Sequence, residues 1–158
     1  MQENYLDDFV VGSVWHTPEH EVSLDEITAF AASCDPQPYH LDEALAAESV
    51  FGQVVMPGFQ NAAIAWKLGI ASGHFQHCSM AGIGIDNLRW LAPLKPGDRV
   101  RCVITILENK PSGSRPDRGF LKARYAMLNQ KDELLMSLEL LQLLRRRPTS
   151  DKGETVDV

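Results

Sequence analysis

Cysteine is scarce: Cys34, Cys78 and Cys102 are the only three among 158 residues. An odd number at wide spacing makes no disulfide framework, so a reducing, cytoplasmic setting is expected. Long apolar runs are missing as well. The longest, Ala62 to Ala71, is interrupted by Lys67 and is far too short to cross a bilayer. No membrane partner is therefore expected. The stretch from Met1 to Asp8 is acidic and has no apolar core, so it does not read as a signal peptide. Positive charge is outnumbered, with 15 Lys and Arg against 21 Asp and Glu, for a net charge of −6. Such a chain has no general attraction for phosphate backbones, and nucleic acid is not an expected partner.

What remains is an ordinary globular composition, 44% hydrophobic and 23% charged, which excludes disordered and coiled-coil classes. The length suits one domain. An early strand is expected from Val10 to Trp15. Ser23 followed by Glu26 is a capping box, and Ile27, Phe30 and Ala31 follow at helical spacing. Pro36 and Pro38 should end that helix, leaving 35–40 as an ordered loop before a short helix from Leu41 to Ser49. Pro57-Gly58 is a break before a helix from Phe59 to Ser72. That helix is apolar nearly all round, which predicts burial by neighbours on every side.

The second half reads as strands: Met80 to Trp90, Arg99 to Leu107, Phe120 to Leu128 and Leu134 to Leu144. A turn is expected at Lys95-Pro96-Gly97-Asp98 and a loop from Asn109 to Gly119. Helices early and antiparallel strands late define the α+β class, with a sheet around a central helix. One domain over 1–147 is expected, with 148–158 a polar tail.

Asp35-Pro36-Gln37-Pro38-Tyr39-His40 carries the densest chemistry. A loop stiffened by two prolines can hold one acid and one histidine around a single small molecule such as water, an arrangement suited to acid–base work. Spacing alone also permits a Pro-rich helix exit with an incidental histidine. Gly58 at a helix start offers an unpaired amide at the positive end of the helix dipole, where an oxyanion could rest. Other groups are weaker. His74, His77 and Cys78 supply at most three metal ligands with no second cluster, so no metal is expected. Cys34 beside Asp35 reads as a small buried residue. Arg89 is either a structural ion-pair partner or a phosphate contact. The Arg145-Arg146-Arg147 run reads as a solvated strand end.

Taken in order, Asp35-Pro36-Gln37-Pro38-Tyr39-His40-Leu41-Asp42, Met56-Pro57-Gly58-Phe59-Gln60-Asn61-Ala62-Ala63, Asp86-Asn87-Leu88-Arg89-Trp90 and Pro93-Leu94-Lys95-Pro96-Gly97-Asp98 resemble the MaoC-like dehydratase family, which includes (R)-specific enoyl-CoA hydratases. The resemblance implies a hotdog fold, a long central helix wrapped by an antiparallel sheet, commonly paired as a homodimer with the acyl group near the shared interface. It also implies hydration of trans-2-enoyl thioesters, or the reverse dehydration, with an acyl-CoA or acyl carrier protein ester as substrate and no cofactor. The family motif Asp-x-Asn-Pro-x-His is matched by Asp35, Pro38 and His40, with Gln37 in place of Asn. By this resemblance Asp35 and His40 are the catalytic pair and the Gly58 amide is the oxyanion donor. Gln37, Pro57, Phe59, Gln60 and Arg89 are the substrate-binding candidates. A Ser that some hydratases carry five residues beyond the glycine is Ala63 here. Two other readings share the fold: a thioesterase attacking the thioester carbon, and a non-catalytic acyl-thioester-binding subunit.

Overall fold

A computed structural model describes residues 3–149. Its sheet has six antiparallel strands: β1 (Val14–His16), β2 (His20–Glu21), β3 (Ser79–Trp90), β4 (Arg99–Pro111), β5 (Arg118–Leu128) and β6 (Leu134–Arg145). The order is β1-β4-β5-β6-β3, with β2 also paired to β4. Four α-helices precede β3, after a short 3-10 turn at Leu6–Asp8: α1 (Leu24–Cys34), α2 (Pro38–Leu41), α3 (Glu43–Ala47) and α4 (Gly58–Ala71). The segregation of helices and strands follows the expected α+β pattern.

Period-two patterning builds the core face. Val100, Cys102, Ile104 and Ile106 on β4 are buried, as are Leu121, Ala123, Tyr125 and Met127 on β5. The side chains between them point the other way. Against this face lies α4, on which Asn61, Ile64, Ala65, Leu68 and Gly69 are buried at helical spacing, with Gln60 buried beside them toward α1. The contact is close: a β-carbon on Gly69 would fall 2.6 Å from the Tyr125 hydroxyl oxygen. Burial pushes the Cys102 thiol up to about 12 and the Cys78 thiol up to about 11.

Several boundaries differ from expectation. Residues Val10 and Val11 turn through Gly12 at φ 87°, so the first strand begins only at Val14. The segment expected as a loop at 35–40 contains α2, one helical turn with Pro38 at its start. Proline there has the helical φ already and its missing N–H has no intrahelical partner to lose. The next helix is shorter than 41–49 because Asp42 caps it, accepting from Leu45 N–H at 2.9 Å. The loop expected at 109–119 shrinks to 112–117, since the β4–β5 ladder runs on through Lys110↔Phe120 and Pro111↔Gly119.

Helix α4 is not covered all round either: Phe59 is 67% exposed and Ala63 is exposed. The strand nearest that face, β3, is the sheet edge and nearly all of it is exposed. Most of the expected tail, 150–158, lies outside the described residues. No helix among those described is long and apolar enough to cross a membrane.

Candidate active site

Helix α1 is anchored at its start by the Ser23–Glu26 capping box and ends on Asp35 as its C-cap. Asp35 and His40 are thus carried by the end of one helix and by the single turn of the next. His40 is buried at 4% exposure. Its Nδ1 lies 2.6 Å from the carbonyl oxygen of Val55. A carbonyl can only accept, so Nδ1 carries the proton and Nε2 is left with a lone pair in the neutral ring. That Nε2 stands 3.5 Å from Asp35 Oδ2. Such a gap is long for a direct hydrogen bond, but both atoms can reach one molecule beside them.

The other carboxylate oxygen is occupied. Gln37 Nε2 donates to Asp35 Oδ1 at 2.8 Å, and the Tyr39 hydroxyl donates to Gln37 Oε1 at 2.5 Å. The longer arm of Gln37 therefore still delivers its amide to the carboxylate, and Oδ2 is the oxygen left free. This relay orients the acid as a buried partner would orient a catalytic imidazole.

The start of α4 faces the same space. Met56 N–H donates to Leu94 O at 2.8 Å, which fixes the strand-like segment supplying Val55 O. The helical ladder begins with Asn61 N–H to Pro57 O at 3.1 Å, so the Gly58 amide lies ahead of it. Trp90 closes over this glycine: its indole N–H donates to Gly58 O at 2.9 Å, and its ring meets Phe59 edge-on at 5.7 Å.

Together these groups line a cavity of 440 Å³ whose wall includes Asp35, Gln37, His40, Gly58 and Phe59. Of the substrate-binding candidates, Gln37 and Phe59 reach it. Pro57 is the N-cap of α4 and does not line it. Gln60 turns away to donate to Glu26 O at 3.0 Å. Arg89 is exposed on β3 and donates to Leu88 O at 2.8 Å, outside the cavity. Tyr39, Val55, Asn61 and Trp90 line it without having been singled out from sequence. Tyr39, Asn61 and Trp90 each lay inside one of the quoted motifs, but nothing in the spacing set Asn61 apart on its apolar helix, and Val55 lay outside all four.

His74, His77, Arg146 and Arg147 have structural partners. His74 Nδ1 accepts from Asn4 Nδ2 at 3.3 Å, and His77 meets the Tyr5 hydroxyl at 3.1 Å. Arg146 and Arg147 pair with Asp7 and Asp8 at 2.7 and 2.8 Å, tying the N-terminal turn to the end of β6. Cys34 is exposed rather than buried, because it occupies the solvent side of the last turn of α1.

Known proteins are similar to this chain in sequence and fold. A MaoC-like dehydratase from Rhodospirillum rubrum superposes with a TM-score of 0.84 at 35% identity, over 92% of this chain and 99% of that one. The uncharacterized protein YdeM of Bacillus subtilis is 32% identical over 141 residues, 89% of this chain and 99% of the relative. Mesaconyl-CoA hydratase of Cereibacter sphaeroides is 30% identical over 128 residues, 81% of this chain, although the match spans only 32% of that enzyme. The helix wrapped by an antiparallel sheet is the hotdog fold. The family model described as "MaoC like domain" matches residues 9–118, and the chain belongs to that family.

Proposed function

We propose that this protein adds water to trans-2-enoyl thioesters, CoA esters in the first place, giving (3R)-3-hydroxyacyl products, or catalyses the reverse dehydration. Membership of a dehydratase family supports hydratase chemistry in general. The observation that carries the finer reading is the Asp35 Oδ2–His40 Nε2 pair, 3.5 Å apart at the wall of a mostly apolar cavity.

The geometry supports a sequence of steps. With Nδ1–H committed to Val55 O and Oδ1 committed to Gln37, the two free acceptors are Nε2 and Oδ2. One water donating a hydrogen to each would present its lone pair to Cβ of the substrate. As the C–O bond forms, a water O–H bond breaks, and that proton passes to the Asp35–His40 pair. The alkene electrons move onto the thioester oxygen as an enolate. The Gly58 amide stabilises that charge; one such donor contributes about 3–4 kcal/mol in comparable sites. The pair then returns a proton to Cα.

A homodimer is part of this reading, supported by the exposed edge of β3 and the uncovered side of α4. The three free thiols support the cytoplasmic setting. The test is hydration of crotonyl-CoA followed by loss of enoyl absorbance. Asp35→Asn and His40→Ala should each abolish turnover while the far-UV CD spectrum is kept. Unchanged turnover in either variant would sink the proposal. Release of free thiol by the wild type, without hydration, would favour the thioesterase.

A further inference from the structure

The polar side chains on the cavity wall are almost all engaged. Asp35, Gln37, His40 and Tyr39 bond to one another or to Val55 O. Asn61 is the exception. It lines the cavity, is 3% exposed, and its Oδ1 is sealed from solvent with no hydrogen-bond partner among the described residues. Its neighbour Gln60 has at least one bond, to Glu26 O, and points away. A buried amide without a partner is unfavourable, and such groups in folded proteins call for a reason. Leucine would fill the same volume without that penalty.

Position supplies the reason. Asn61 stands one turn beyond Gly58 on α4. Side chains on a helix lean toward its N-terminus, so the Asn61 carboxamide covers the turn that begins at Gly58. The rest of the wall is apolar there, including Val55, Met56 and Leu94, which suits a hydrocarbon chain. The polar end of a thioester is the part of the substrate that needs a donor. Only Oδ1 of the carboxamide is sealed in this way, which leaves Nδ2 as the atom that can meet a ligand in the cavity.

We propose that Asn61 is a catalytic residue: its Nδ2–H donates to the thioester oxygen beside the Gly58 N–H and makes a two-donor oxyanion hole. This rests on the hydratase reading above. The hydrogen bond strengthens as the oxygen gains enolate charge, so it acts on kcat more than on KM.

The experiment compares wild type, Asn61→Leu and Asn61→Asp, each with thermal unfolding as a control. Steady-state hydration is measured with crotonyl-CoA and with trans-2-octenoyl-CoA. The infrared carbonyl band of bound butyryl-CoA, 13C-labelled at the thioester carbon, is recorded for each protein. Both variants should lose kcat by roughly 10²- to 10³-fold on both esters, with KM little changed. Asn61→Leu should unfold no earlier than wild type. Asn61→Asp keeps the shape and, ionised, offers acceptors only, so its loss at a pH where the carboxylate is charged would assign the role to Nδ2–H. The carbonyl band should be shifted to lower frequency on the wild type and relax toward its free position on Asn61→Leu. Near-normal kcat in either variant, a loss confined to one chain length, a loss that tracks lower thermal stability, or an unmoved carbonyl band would overturn the assignment. A wild type that hydrates neither ester counts against the hydratase reading, while the carbonyl band still decides whether Asn61 touches the thioester.

Discussion

A β-carbon on Gly58 would sit 2.5 Å from Trp90 Cε2, and the indole cannot retreat without losing its bond to Gly58 O. The glycine is therefore required by the close approach of a ring, at the very amide proposed to receive the enolate. Gly58→Ala should displace Trp90, change its fluorescence and lower kcat by roughly 10²-fold or more, as loss of an aligned donor does. Wild-type kcat in that variant would show that the amide does not have to hold its position. The cysteines give a second residue-level prediction. Cys34 is exposed, whereas burial holds the Cys78 and Cys102 thiols far above their usual 9.0, at about 11 and about 12. At pH 8 a disulfide reagent should titrate one thiol quickly and two more only after denaturation. Between pH 9 and 12 the unfolded chain would release protons that the folded chain keeps. The denaturant midpoint should accordingly hold steady below pH 9 and fall above it. A midpoint that rises across that window contradicts the burial.

Elements were legible in the sequence wherever one face alone meets the core. The alternation of β4 and β5 and the Ser23–Glu26 box gave those elements their type, and the Gly58 break gave α4 its start. Legibility failed where local geometry overrides pattern. Pro38 reads as a helix breaker, yet it opens the single turn that turns His40 back toward Asp35. The acid and the histidine were legible as a pair because both lie in one short motif. The Gln37–Tyr39 relay was not, since a hydrogen bond between side chains two residues apart depends on that same turn. Trp90 and Asn61 come from elements distant in sequence from the motif and are brought to it only by the packing of α4 against the sheet. Gln60, one residue before Asn61, shows how sharply helix phase sorts neighbours: it faces α1, and Asn61 faces the cavity.

At the scale of the whole molecule the described sheet ends on an uncovered edge. Strand β3 bonds only β6, and Ile83 and Ile85 on it are 49% and 47% exposed. Long exposed apolar edges invite further pairing, and proteins generally cover them. On the same side Phe59, Ala62, Ala63 and Trp66 of α4 border a second space of 520 Å³ floored by Gly82–Ile85 and Tyr125. Phe59 also lines the cavity that holds Asp35 and His40, so the two spaces meet at one side chain. A second copy related by a two-fold axis would set β3 antiparallel to its own counterpart and cover this space from outside, the self-matching contact that closed dimers use. The acyl chain would then run from the catalytic pair past Phe59 into a chamber completed by the partner. Replacing Ile83 and Ile85 together with Lys would bring four unpaired cations into that interface, at a desolvation cost that no exposed edge bears. Sedimentation equilibrium should show twice the 17.6 kDa chain mass for the wild type and the single mass for the double variant. Hydration of octenoyl-CoA should suffer more than that of crotonyl-CoA, because only the longer chain reaches the shared chamber. A wild type that stays at the single mass at every concentration, or a monomeric variant with unaltered preference between the two esters, would separate the site from any interface.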